Sequence, residues 1–92
     1  MAIFRIIGEN PEVFEGESFV RGIRSLYNYS TREIENMKQH MDHWFRCYDD
    51  DHVLYFWGRC SSQSFDPLDF GEQYGCSTIE YKNPYTGLWE VL

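Results

Sequence analysis

The sequence lacks the features that mark a secreted or membrane protein. Its three cysteines, Cys47, Cys60 and Cys76, cannot form a closed set of disulfides. No apolar run approaches the length of a membrane span, and the opening residues MAIFRIIGEN have no long apolar segment of the signal-peptide kind. We therefore expect a protein of a reducing cytosol, with no membrane partner, whose thiols fill small apolar spaces. A single Cys60–Cys76 disulfide is the alternative.

The motifs of common enzymes are also missing. The chain has no glycine-rich phosphate loop and no C-x-x-C pair, and nothing selects one cysteine as a nucleophile. His40, His43 and Cys47 could share one flank of a predicted helix, with His52 as a fourth ligand, but the spacing H-x-x-H-x-x-x-C matches no common zinc pattern. We therefore predict no catalytic residue, no metal and no cofactor. A small metal-binding protein using these residues is kept as an alternative.

Positive charge is scarce. Eight lysines and arginines stand against fifteen carboxylates, for a formal net charge of −7. Such a protein is repelled by phosphate backbones and attracted to basic surfaces, so we expect no binding to free duplex DNA. The charge is uneven, because residues 18–48 carry five cations and three carboxylates, a net +2, which leaves −9 for the remainder.

Aromatic residues, in contrast, are abundant. Seven Phe, seven Tyr and three Trp make seventeen rings in a single domain of residues 1–92. Large rings bury much area, but a core this small cannot hide all of them. Some tyrosines and tryptophans should therefore reach the surface, where they suit protein interfaces.

The residue pattern predicts an α+β fold, with two helices packed on a small, mainly antiparallel sheet in the order β-α-α-β-β-β. A first helix is expected over about 18–28. A second is expected from Ser30, which forms a capping box with Glu33, to Tyr48, because apolar residues recur there at three- and four-residue steps. The remaining assignments are strands at 2–7, 53–60, 77–82 and 88–92, a hairpin turn at 83–87 and a long loop at 61–76 that packs onto the core.

The stretch YDDDH, residues 48–52, places three aspartates between the second predicted helix and an apolar strand. It lacks the central glycine and terminal glutamate of an EF-hand calcium loop, and adjacent aspartates on a turn do not converge as magnesium-dependent nucleases require. Three negative charges at a helix C-terminus oppose the macrodipole, so turn formation alone does not explain them. We interpret the stretch as an exposed acidic corner aimed at a basic partner. A solvated acidic face is the alternative.

Two groups of residues are predicted to contact a partner. The acidic group is Asp49, Asp50, Asp51, Asp66, Asp69 and Glu72. The second group, near the turn between the two predicted helices, is Arg21, Arg24, Asn28 and Arg32. Arginines with short polar neighbours suit phosphate contacts. Pairing of these arginines with nearby glutamates, which contributes little stability, is an equally supported alternative.

From MAIFRIIGEN to NPYTGLWEVL, the chain resembles the small anti-CRISPR proteins of bacteriophages and is similar to inhibitors of the type I-F (Csy) surveillance complex. The resemblance implies a non-enzymatic viral protein of the host bacterial cytoplasm that uses no cofactor. Such a protein binds Cas subunits of the effector complex, whose DNA-binding surfaces are basic, and blocks target DNA recognition. The acidic residues would then meet basic Cas residues, and the arginines would meet guide-RNA phosphates or acidic Cas residues.

One alternative keeps the binding role and changes the target. Arrays of carboxylates can stand in for DNA phosphates, so the chain could be a DNA mimic that inhibits a restriction enzyme, a nucleoid protein or a repair enzyme.

Overall fold

The computed structural model describes residues 2–15, 19 and 21–92. In chain order the elements are β1 (Ile3–Glu9), β2 (Ile23–Ser25), α1 (Thr31–Lys38), β3 (His43–Tyr48), β4 (Leu54–Cys60), α2 (Asp66–Gly71), a 3₁₀ turn (Glu72–Tyr74), β5 (Thr78–Lys82) and β6 (Trp89–Val91). The strands form one antiparallel sheet in the order β2-β1-β4-β3-β5-β6. The predicted α+β class, two helices on an antiparallel sheet, is confirmed, and the predicted order holds roughly, with additional strands between the helices.

The core lies on one face of this sheet. Phe4, Phe45 and Phe56 are fully buried there. They come from three adjacent strands, and the ring of Phe45 meets each of the other two edge to face at 6.1–6.2 Å. Leu68 of α2 and Phe14 of the segment before β2 cover them. The three cysteines are free and buried, in agreement with their predicted role as apolar fillers.

Strand alternation places a second set of side chains on the opposite side of the sheet, because their neighbours along each strand point into the core. We call this side the open face, and define it by Arg5, Trp44, Arg46, Trp57, Arg59, Glu80, Lys82 and Trp89. The molecule measures 38 × 33 × 17 Å along its principal axes. Because packed layers lie about 10 Å apart, the shortest dimension accommodates two layers, and Arg5, Arg59 and Lys82 of this face are exposed.

The predicted second helix is too long. Its start is confirmed, because the Ser30 hydroxyl accepts a hydrogen bond from the Glu33 N–H at 3.1 Å. The helix ends at Lys38, however, and residues 43–48 form β3, hydrogen-bonded between β4 and β5. In this segment Phe45 and Cys47 point inward, so its apolar residues fit a period of two as well as one of 3.6. Backbone hydrogen bonds to strands on both sides favour the strand.

The predicted first helix is wrong in the part that the structure describes, because Ile23–Ser25 forms the edge strand β2 against β1. Ser18 and Val20 lie outside the described residues. The predicted loop at 61–76 contains α2 and the 3₁₀ turn. Pro67 lies in the first turn of α2 and is buried, which agrees with a segment that packs onto the core.

The predicted hairpin at 83–87 is confirmed between β5 and β6. The Asn83 side-chain oxygen accepts hydrogen bonds from the N–H groups of Tyr85 and Thr86 at 2.8 and 3.2 Å. Gly87 closes the turn with a φ of 75°, a conformation that glycine adopts without steric cost.

Candidate functional site

The stretch YDDDH forms the tight turn between β3 and β4. The Asp49 carboxylate accepts hydrogen bonds from the backbone N–H groups of Asp51 and Val53, both at 2.9 Å. His52 has a positive φ of 60°, and its ring stacks on Tyr48 with the centroids 4.3 Å apart. The Asp49 carboxylate is therefore committed to building the turn.

The exposed acidic corner consists of the other two aspartates. Asp50 and Asp51 point to solvent at the tip of the turn. A strand precedes them, so the unfavourable helix macrodipole inferred from the sequence does not arise. The corner presents two free carboxylates where the sequence suggested three.

The remaining predicted acidic residues lie on α2 and the 3₁₀ turn. Asp69 and Glu72 are exposed. Asp66 is only 5% exposed: its carboxylate accepts a hydrogen bond from the Ala2 N–H at 3.0 Å, and its own N–H donates to the Ser64 hydroxyl at 3.0 Å. Asp66 thus joins the start of β1 to α2 and is not available as a surface contact.

The structure does not gather the predicted arginine patch into one corner. Arg21 forms an ion pair with Glu9, at the C-terminal end of β1. From Arg21 the chain runs antiparallel to β1 until Ser25 pairs with Ile3, the first residue of that strand. Asn28 and Arg32 follow beyond this N-terminal end of β1, and both are exposed. The ends of a seven-residue strand are about 20 Å apart, so Arg21 is far from Asn28 and Arg32.

The Arg24 side chain does not project into solvent. Its guanidinium lies 4.6 Å from the ring centroid of Phe70 and 5.7 Å from that of Phe19. Cation–π contacts of this kind hold the side chain against the core. The four residues of the patch therefore have separate surroundings.

The residues of the metal hypothesis do not share a helix flank. His40 follows α1 and is exposed, His43 begins β3, and Cys47 is buried further along the same strand. Burial raises the pKa of the Cys47 thiol, which opposes the thiolate form that metals bind. Within residues 2–15, 19 and 21–92, no three His, Cys, Asp or Glu side chains lie close enough to hold a metal ion.

The open face concentrates side chains that the sequence analysis did not assign to a site. It carries all three tryptophans and four of the eight cations of the chain. Cross-strand pairing makes them neighbours: Arg5 with Arg59, Arg59 with Trp44, Arg46 with Trp57, and Lys82 with Trp89. Tryptophan and arginine are the residues most enriched among binding hot spots.

The arginines of this face lie against the tryptophan rings. The Arg59 guanidinium is 4.4 Å from the ring centroid of Trp44, and that of Arg46 is 4.1 Å from the centroid of Trp89. Arg46 Nε also donates to the Glu80 carboxylate at 2.7 Å. Each cation–π contact is worth about 0.5–1 kcal/mol at an exposed site, so rings and cations are held in a defined arrangement.

Two hollows flank Trp44 on the open face. The larger, of about 350 Å³, is lined by Trp44, Arg46, Leu54, Trp57, Lys82 and Trp89. The smaller, of about 210 Å³, is lined by Arg5, Ile7, Met41, Trp44 and Arg59. Each combines an aromatic wall with a cation. The larger falls in the range of about 300–1,000 Å³ that is usual for ligand sites.

A sequence signal for this face does exist. The triplet W-x-R occurs twice, at residues 44–46 and 57–59. On a strand, alternation places the Trp and the Arg of each triplet on the same side. The assignment of residues 44–48 to a helix concealed the match between the two triplets.

No known protein family, curated protein or solved structure matches the chain. Neither described helix has the length and apolar character that a membrane span requires.

Proposed function

We propose that this protein is a non-enzymatic inhibitor that binds the Cas subunits of a type I CRISPR effector complex in the host bacterial cytoplasm and blocks target DNA recognition. The resemblance to phage anti-CRISPR proteins motivates the choice of partner. The observation that supports a binding role is the segregation of charge between the open face and the rest of the surface.

The magnitude of this segregation follows from the residues of the open face. Its four cations and one carboxylate, Glu80, give a net charge of +3, so the rest of a chain of net charge −7 carries −10. Asp50, Asp51, Asp69 and Glu72 are exposed within that acidic remainder. Clefts that bind nucleic acid are lined with lysine and arginine and attract such a surface.

Retention of the tagged protein on a purified type I-F effector complex tests the proposal. The double variant Asp50→Asn/Asp51→Asn removes two exposed charges without changing side-chain size. We expect it to weaken retention about tenfold, because complementary charge at an interface sets both encounter rate and register. Retention should also decrease as salt is raised, because exposed charges are screened.

A matched control removes the same charge elsewhere. Glu35→Gln/Asp42→Asn neutralises two exposed carboxylates in α1 and the segment after it, and it should bind like the wild type. The proposal fails if no Cas subunit is retained and the complex binds target DNA normally, or if both double variants lose retention equally.

The acidic surface also supports a second candidate, a DNA mimic that inhibits another host DNA-binding protein of restriction, nucleoid or repair function. Inhibition of an isolated host DNA-binding protein, with no Cas protein present, distinguishes the two. A DNA mimic is displaced from its isolated partner by excess duplex DNA, and it retains inhibition when the cations of the open face are removed.

A further inference from the structure

We propose that the open face is a platform for single-stranded nucleic acid, on which tryptophan rings stack with unpaired bases and the cations contact phosphates. This site lies on a different surface from the exposed carboxylates that carry the proposed function. It requires no Cas protein, so it can be tested by itself.

The charge of the face selects an anionic ligand. Arg5, Arg59 and Lys82 are exposed, and within the described residues no ion pair involves them, whereas Arg46 is balanced by Glu80. Three cations without a carboxylate partner therefore share one face of a protein that is acidic elsewhere. These cations attract an anionic ligand at short range, where the ligand contacts the open face.

The tryptophans select a ligand with exposed planar groups. Trp44, Trp57 and Trp89 are each partly exposed. Trp44 and Trp57 lie on adjacent strands, diagonal to each other, since Trp44 pairs with Arg59 and Trp57 with Arg46. Unpaired bases stack on such rings and on guanidinium planes, and one stacked base changes affinity by about tenfold.

The arrangement spans the length of a short single strand. Side chains of successive strands form a row across the open face. Arg5 pairs with Arg59 and Arg59 with Trp44, and the pair of Lys82 and Trp89 extends the row onto β5 and β6. Five strands at about 4.8 Å spacing cover about 19 Å. Sheet surfaces that bind unpaired bases stack about two or three of them, which matches the two hollows on either side of Trp44.

Duplex DNA does not suit the same surface. Its bases are stacked inside the helix and cannot reach the indole rings, and its dense phosphates meet the acidic remainder of the molecule. Tryptophan and arginine also occur in protein interfaces. The cations without a carboxylate partner, next to ring-lined hollows, favour single-stranded nucleic acid over an uncharged protein surface.

Fluorescence anisotropy with labelled oligonucleotides of about 15 residues tests the proposal on the full chain. Oligo-U, oligo-dT and a duplex of equal length are compared at about 50 mM salt. We expect one or both single strands to bind, to quench indole fluorescence, and to bind about tenfold more tightly than the duplex. A preference for oligo-U favours RNA and a preference for oligo-dT favours DNA, the two probes differing in the 2′-hydroxyl and in the C5 methyl group of the base.

The salt dependence gives the number of phosphate contacts. With three cations engaged and a slope of about 0.7 per contact for single strands, log affinity should fall with log salt with a slope of about −2. A slope near zero would contradict phosphate contacts by Arg5, Arg59 and Lys82.

Variants assign the binding to the open face. Trp89→Ala and Arg59→Ala should each weaken oligonucleotide binding about tenfold. Lys38→Ala removes one positive charge from the exposed surface of α1 and should stay within about twofold of wild type. Circular dichroism verifies that each variant is folded.

Three results would overturn the proposal: no single strand binds at low salt, the duplex binds as tightly, or Lys38→Ala weakens binding as much as Arg59→Ala. If wild type binds no oligonucleotide but Trp89→Ala abolishes retention on the effector complex, the open face is a protein interface. That result rejects the nucleic-acid site and leaves the Cas proposal standing.

Discussion

At the scale of single residues, the three consecutive aspartates have different roles. Asp49 supplies the acceptor for two backbone N–H groups in the β3–β4 turn, whereas Asp50 and Asp51 extend into solvent. The turn therefore depends on one of three adjacent residues of identical chemistry, and substitutions can distinguish Asp49 from its exposed neighbours.

Asp49→Ala should lower the free energy of unfolding by about 1–2 kcal/mol, because two N–H groups lose their acceptor. Asp50→Ala, the matched control, should change it by less than about 0.5 kcal/mol. Urea unfolding followed by circular dichroism measures both. Equal effects from the two substitutions would mean that the turn does not depend on the Asp49 carboxylate.

The acidic residues differ in whether their exposure can be predicted from the sequence. The position of the aspartates between two elements is local information, so their exposure at a turn was predictable for Asp50 and Asp51. The burial of Asp66 was not, because its hydrogen-bond partner, the N–H of Ala2, lies 64 residues away in the chain.

At the scale of the elements, the sheet is well anchored and α1 is not. β4 lies between β1 and β3 and contributes fully buried Phe56 and Cys60. α1 has no buried residue and begins at the Ser30 cap. Local opening free energies follow burial, so the amides of α1 should be much less protected than those of β4.

Ser30→Ala should destabilise α1 by about 1 kcal/mol, the usual effect of losing an N-cap. Amide hydrogen exchange should then speed up about fivefold for residues 33–38 and remain unchanged in β4. If exchange rises equally in both elements, or if α1 of the wild type is as protected as β4, the helix is part of the cooperative core.

The elements also differ in how far the sequence determines them. β1, β4, β5, β6 and the hairpin turn were predictable, because alternation and turn residues are local signals. β2 has three residues and exists through its pairing with β1, which no local pattern encodes. In β3, the spacing of Trp44, Phe45 and Tyr48 also fits a helical period. The segment is a strand because it pairs with β4 on one side and β5 on the other.

The open face was missed for the same reason. Trp44 and Arg46 join Trp57 and Arg59 only when residues 43–48 are extended and paired with β4. A surface assembled from five strands depends on sheet order, and sheet order follows from contacts between segments that are distant in sequence.

At the scale of the whole molecule, the buried ionisable groups of the core set an alkaline limit to stability. Burial raises the pKa values of the Cys47 and Cys60 thiols and of the Tyr81 hydroxyl. Tyr81 also donates a hydrogen bond to the Ser64 carbonyl at 2.8 Å. These groups stay protonated in the folded protein at pH values where they ionise in the unfolded chain.

The free energy of unfolding should therefore be independent of these groups below about pH 8 and fall as pH rises past their unfolded pKa values of about 8.5 for Cys and about 10 for Tyr. Above those values the unfolded chain binds fewer protons, so each group contributes a decline of up to about 1.4 kcal/mol per pH unit. Urea unfolding at a series of pH values, with reductant present, measures the decline. Cys60→Ala, which removes one thiol, should make it shallower. Constant stability up to about pH 10.5 would contradict burial of these groups.

The whole molecule combines an acidic surface with one basic, aromatic face, and we propose that a protein with these surfaces blocks target DNA recognition by a type I-F effector complex. Titration of the protein against a fixed amount of purified complex, with labelled target DNA, tests it most directly. We predict that bound DNA falls as the protein approaches the concentration of the complex, and that Asp50→Asn/Asp51→Asn requires about tenfold more protein for the same effect. Target DNA binding that is unchanged in the presence of excess protein would contradict the claim.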